Sequence, residues 1–117
     1  MNETPASLGY RMPAEWEPHS GTWLTWPHNL ETWPDQDMQQ VETEFLSIIQ
    51  PLAKDESVHI LVNDEEMKGS VASTLNDNNV EMKNIFLHDI PTNDSWIRDY
   101  GPNFIVQRDG IVAINDW

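Results

Sequence analysis

The chain of 117 residues contains no cysteine. That excludes a disulfide framework, a thiolate metal shell and a thiolate nucleophile within these residues. Positive charge is nearly as scarce, with 6 Lys and Arg against 20 Asp and Glu and a formal net charge of −14. Phosphate backbones are gripped by Lys and Arg, so this balance argues against a nucleic-acid binder and against docking on anionic membrane. No apolar run approaches the ~18 residues of a membrane-spanning helix. Met1-Asn2-Glu3-Thr4 carries neither the basic nor the apolar region of a secretory leader, so a cytoplasmic location is expected. The P-loop, the dinucleotide glycine pattern, the zinc-protease helix, the EF-hand loop and the nucleophile elbow are all missing. Hydrophobic residues make up only 38%, but six Trp argue against disorder, because disordered segments avoid aromatics. The length suits one domain or a piece of a larger one, and the charge suits a cationic partner.

The hydropathy pattern alternates between two periods. Gly21-Thr22-Trp23-Leu24-Thr25-Trp26 mixes β-branched and aromatic residues and runs into Pro27, which predicts a short strand with Trp23 and Trp26 buried. Pro34 and Asp35 then predict a turn. Met38, Val41, Phe45, Ile48, Ile49 and Leu52 recur at helical spacing behind a capping-box start at Asp37 and Gln40, with Pro51 predicted to stop the helix. Val58-His59-Ile60-Leu61-Val62 reads as a strand buried on both faces, with His59 a satisfied core histidine. Asn63 or Asp64 is placed to cap a second helix carrying Met67, Val71 and Leu75, which Gly69 weakens. After a turn at Asn76 to Asn79, Val80 to Leu87 reads as a returning strand, with a polar loop from Pro91 to Asp94 beyond it. Asp109-Gly110 between Phe104-Ile105-Val106 and Ile111-Val112-Ala113-Ile114 predicts a hairpin. The order of elements is that of an α/β fold with mixed strand pairing. The chain stops at Ile114-Asn115-Asp116-Trp117, just as a strand leaves the hairpin, so a truncated chain is expected.

The residues able to carry chemistry concentrate in Asn93-Asp94-Ser95-Trp96-Ile97-Arg98-Asp99-Tyr100-Gly101-Pro102. Asp94 and Asp99 can jointly hold a guanidinium or amidinium, because a carboxylate matches that planar fork of donors bidentately. Trp96 offers the same cation a π face. The alternative reading gives Asp94 a turn-capping role, pairs Arg98 with Asp99 and puts Trp96 in the core. His19 and His28 lie nine apart, which is no metal-ligand spacing, and His88 beside Asp89 reads as a strand end. No metal site is expected.

Two segments resemble a known family. Arg11-Met12-Pro13-Ala14-Glu15-Trp16-Glu17-Pro18-His19, followed by Gly21-Thr22-Trp23 and Trp26-Pro27, resembles the N-terminus of agmatine deiminases, which group with bacterial-type peptidylarginine deiminases. The segment from Asn93 to Pro102 resembles the family's second signature. The resemblance implies the N-terminal portion of a pentein-type α/β-propeller built from ββαβ-like units with mixed sheets, residues 1–117 being one fragment of a single deiminase domain. It implies hydrolysis of a guanidine carbon–nitrogen bond, with no cofactor, and agmatine as a small cationic substrate yielding N-carbamoylputrescine and ammonia on a route to putrescine. Asp99 matches the carboxylate that grips the guanidinium, and Trp96 an aromatic lining the site. Asp94 is grouped with the substrate-binding residues, although its position and that of Arg98 read as holding the loop. Gly101 and Pro102 match the turn that aims Asp99. The family's catalytic Cys and His lie beyond this chain, so the chain alone is expected to be inactive. Arginine in peptides is the alternative substrate, and a non-catalytic cation-binding module the alternative of another class. Homo-oligomer formation is left open.

Overall fold

The computed structural model describes residues 2–33 and 37–115. The turn predicted at Pro34 and Asp35, and the chain end at Asp116-Trp117, lie outside the described residues. The elements in order are β1 (Tyr10–Arg11), β2 (Gly21–Thr25), α1 (Met38–Asp55), β3 (Ser57–Val62), α2 (Glu65–Asp77), β4 (Ile85–Asp89), α3 (Ile97–Tyr100), β5 (Asn103–Gln107) and β6 (Val112–Asn115), with 3-10 turns at Ala6–Leu8 and Met82–Asn84. They divide into two compact units, one formed by His19–Ile97 and the other by the segments on either side. Parallel and antiparallel pairing are both present, as the sequence implies, but they are segregated into two three-stranded sheets rather than mixed in one.

In the larger unit β2, β3 and β4 run parallel in that order, with Trp23 opposite His59 and His59 opposite Phe86. Each parallel step needs a crossover, and α1 and α2 supply them. Both helices pack on one face. Leu46, Ile49 and Ala53 from α1, Val58, Ile60 and Val62 from β3, and Val71 and Leu75 from α2 form one core with Trp26, flanked by Leu24, Ile85 and Leu87. Gly21 starts β2 where a Cβ would stand 2.8 Å from the Ser57 carbonyl oxygen, so only glycine permits that strand spacing.

Asp37 does cap α1, but its carboxylate accepts from the Gln39 N–H. Pro51 does not end the helix. It sits on the exposed side of α1, which continues to Asp55. Ile49 and Ala53, one turn apart on either side of it, are both fully buried, and burying an isoleucine contributes about 1.5–3 kcal/mol against the ~3 kcal/mol cost of an interior proline. Ile48, counted in the apolar stripe, is 49% exposed, and Leu46 takes its place. The Asn84 side chain donates to the Ala53 carbonyl (2.6 Å), one of the four that the helix end leaves unpaired.

Three further expectations are corrected by the sheet. Trp23 is 45% exposed rather than buried, because its parity puts it on the face opposite the helices. His59 shares that face and is half-buried rather than in the core, stacked between Trp23 (4.3 Å) and Phe86 (5.0 Å). The strand expected at Val80 to Leu87 is shifted to Ile85–Asp89: Asn79 takes a left-handed turn, Val80 plugs the core, and the 3-10 turn intervenes. The second helix matches the reading, with the Asp64 carboxylate capping through the Met67 N–H at 2.7 Å.

The smaller unit is antiparallel, in the order β1-β5-β6. The predicted hairpin is present. Gln107 and Ile111 close the turn by a backbone bond of 2.9 Å, and Gly110 adopts φ of +88°, which side chains disfavour.

Candidate functional site

Parallel sheets bring ligand-binding loops together at the carboxyl ends of their strands. In the larger unit those loops are Trp26–Trp33 after β2, Asn63–Asp64 after β3 and Ile90–Trp96 after β4. Asparagines and hydroxyls join them. Asn63 accepts from the Thr92 N–H at 2.9 Å, Thr92 Oγ1 lies 3.2 Å from His28 Nε2, and Asn29 donates to the Asn93 carbonyl at 3.0 Å.

Asp94 is the electrostatic centre of this cluster. Its carboxylate accepts hydrogen bonds from the Thr32 hydroxyl, the Ser95 N–H (2.8 Å) and the Trp96 indole N–H (3.0 Å). The Thr32 bond above all holds the Asp94 carboxyl below the usual carboxylate range, with partial desolvation opposing it and the bonds from Ser95 and Trp96 assisting. A carboxylate so engaged has both oxygens turned to its own loop and to Thr32. Trp96 is half exposed and stacks on Trp33, with centroids 6.0 Å apart and planes inclined by 28°. It is not a core residue. The Trp33 indole nitrogen is buried and has no hydrogen-bond acceptor among the described residues.

In the smaller unit, Arg98 forms an ion pair with Glu15 rather than with Asp99. The two signature segments therefore meet, through side chains 83 residues apart. Neighbouring helical residues point in different directions, which is why Arg98 and Asp99 do not pair. The first signature also closes on itself: Arg11 donates bidentately to Glu17 (2.9 Å for both bonds), which also accepts from the Ala14 N–H. Asp99 lies on the one-turn helix α3, exposed, and its carboxylate takes no hydrogen bond or ion pair among the described residues. Gly101 and Pro102 follow α3 and lead into β5. Among the described residues no three His, Asp or Glu side chains are grouped as a metal shell.

The family model of the Porphyromonas-type peptidyl-arginine deiminases matches residues 11–117. The chain belongs to that family. Along its whole length it is 33% identical to the agmatine deiminase of Ectopseudomonas mendocina (strain ymp), covering 30% of that protein. A crystal structure provisionally described as an agmatine deiminase superposes over 99% of this chain and 31% of its own, with a TM-score of 0.84 and 28% identity. The agmatine deiminase of C. jejuni shares the fold, with a TM-score of 0.70 and 20% identity over 90% of this chain and 30% of its own. The chain spans about a third of the length of the relatives it matches.

Within this family member, the site-lining candidates missed by sequence reasoning are Thr32, Trp33, Asn29 and Asn63, with Glu15 as the partner of Arg98. Thr32 and Asp94 are 62 residues apart, and no spacing rule links them. Only the carboxyl edge of the parallel sheet brings them within reach.

Proposed function

We propose that these residues are the N-terminal part of a deiminase domain of α/β-propeller type that hydrolyses agmatine to N-carbamoylputrescine and ammonia. The observation that carries this reading is the likeness to agmatine deiminases along the whole chain, with the loop from Asn93 to Pro102 inside it. Water supplies the oxygen of the ureido product, and the displaced nitrogen leaves as ammonia. A guanidinium is a poor electrophile because its charge is delocalised, so positioning in the plane of gripping carboxylates is a large part of the catalysis. Asp99 is the carboxylate proposed for that grip, its oxygens taking no hydrogen bond or ion pair among the described residues, and the resemblance gives Trp96 the part of an aromatic lining the site. Asp94 and Arg98 hold the loop, and Gly101 and Pro102 set the turn after α3. The excess of 20 acidic over 6 basic residues favours encounter with a cationic substrate. The resemblance puts the family's catalytic Cys and His outside these residues, so in this reading the nucleophile and the general acid–base are supplied by the remainder of the domain.

The test uses the complete protein and measures ammonia release from agmatine and from a peptide with an internal arginine. Agmatine is expected to be turned over, and Asp99→Asn is expected to lower kcat/KM by about 100-fold, the scale of losing one charge-assisted contact in the transition state. A near-wild-type rate in that variant would refute the role of Asp99. Release from the peptide alone would reassign the substrate, and release from neither would leave a cation-binding module without catalysis.

A further inference from the structure

Trp96 is restrained in two ways that a merely core-filling tryptophan does not need. Its indole N–H ends on the Asp94 carboxylate at 3.0 Å, and its ring rests against Trp33, yet half of its surface stays exposed. Asp94 is itself anchored from two sides, by the Thr32 hydroxyl from the loop after β2 and by the Ser95 N–H. Thr32 and Trp33 are adjacent, so one short segment supplies both the anchor of the carboxylate and the shelf beneath the ring. An indole that donates to an anion gains electron density on its π face, because hydrogen-bonded dipoles polarise one another. A cation–π contact to that face strengthens accordingly. Guanidinium is the cation such a surface suits, being planar, delocalised and weakly hydrated.

We propose that Asp94 and Trp33 are positioning residues that hold the Trp96 indole as a fixed, electron-rich platform for a planar guanidinium. This deepens the function proposed above and rests on it. Asp94 acts through the indole N–H and does not itself touch the ligand. Trp33 fixes the plane of the ring from beneath.

The experiment is a double-mutant cycle in the complete protein, with agmatine binding measured by calorimetry. Asp94→Asn removes the charge and, with its single amide oxygen kept toward Thr32 and Trp96, replaces the oxygen that accepts from the Ser95 N–H by a donor. It is expected to weaken agmatine binding, by less than the about two- to fivefold that loss of a whole cation–π contact at an accessible site would cost. Trp33→Phe is expected to weaken it by a similar factor. In a Trp96→Phe background, where the ring has no N–H, Asp94→Asn should add nothing. An undiminished Asp94→Asn penalty in that background would overturn the proposal, since the carboxylate would then act independently of the indole. The wild-type protein carries a second readout should a variant fail to fold. The Trp96 indole N–H proton resonance, assigned by correlation to its own backbone in isotope-labelled wild type, is expected to shift when agmatine is added and again as acid protonates Asp94. A resonance indifferent to both would equally overturn the proposal. Agmatine binding to the wild type with a failed cycle refutes this inference alone, whereas no agmatine binding refutes the functional reading and this inference with it.

Discussion

Replacing Pro51 by alanine should stabilise the protein. The residue lies inside α1, four positions from its end, on the exposed side. Its ring denies Ser47 the usual i+4 donor, since proline has no N–H to offer that carbonyl. An interior proline is about 3 kcal/mol less favourable in a helix than alanine. Against that, alanine frees the unfolded chain, which costs about 0.4–1 kcal/mol. The net gain is about 2 kcal/mol, and with a urea m-value of about 4 kcal/mol/M, above the small-protein range because m grows with chain size, the unfolding midpoint should rise by about 0.5 M. Slower amide exchange at residues 47–55 should accompany the shift. Urea unfolding of the complete protein, wild type against Pro51→Ala, makes the measurement. An unchanged or lowered midpoint would refute the reasoning, because it would mean that the helix geometry imposed by Pro51 is what seats Ile49 and Ala53 on the sheet.

Further outcomes follow from single residues. Leu75→Ala empties a fully buried position between α2 and β3 and should cost about 2–5 kcal/mol in the same assay. Gly110→Ala forces a side chain into φ of +88° and should cost about 1–2 kcal/mol, with Gly110→Asn milder. His88 should make the protein sensitive to mild acid. Burial first, then the nearby His59 and Lys68, lower its pKa from 6.5, and its Nε2 lies 2.9 Å from His59 Nδ1. A histidine lowered on folding keeps its stabilising contribution above the unfolded value and loses it as pH falls from about 6.5 through the folded one. The urea midpoint should therefore drop between pH 8 and pH 5, and His88→Gln should flatten that dependence. An identical slope in the variant would remove His88 as the cause.

The α2 cap, the hairpin at Asp109-Gly110 and the start of α1 at Asp37 were legible because each depends on chemistry within a few residues: a side-chain acceptor near free N–H groups, or a glycine where φ must be positive. The apolar stripe was legible for the same reason, and its errors at Ile48 and Pro51 arose where tertiary burial outweighed local preference. The strand at Ile85–Asp89 was displaced because Asn79 and the 3-10 turn spend the first residues of the run on getting past the helix end. The partner of Arg98 is not legible in sequence, because adjacency in sequence is not adjacency on a helix surface and Glu15 lies 83 residues away.

The sequence by itself determined the chemistry available. It excluded a thiolate within these residues, favoured a cationic partner through its charge, and carried in the loop from Asn93 to Pro102 the carboxylates and the tryptophan on which the proposed guanidinium site rests. Only the tertiary structure decided which carboxylate is committed and which is open. Asp94 is committed because the loop after β2 carries the Thr32 hydroxyl to it across 62 residues, beside its neighbours Ser95 and Trp96, while Asp99 on α3 takes no hydrogen bond or ion pair among the described residues. The physical reason is that donors and acceptors are assigned by proximity in space, and in a parallel sheet that proximity is set by which strands lie side by side.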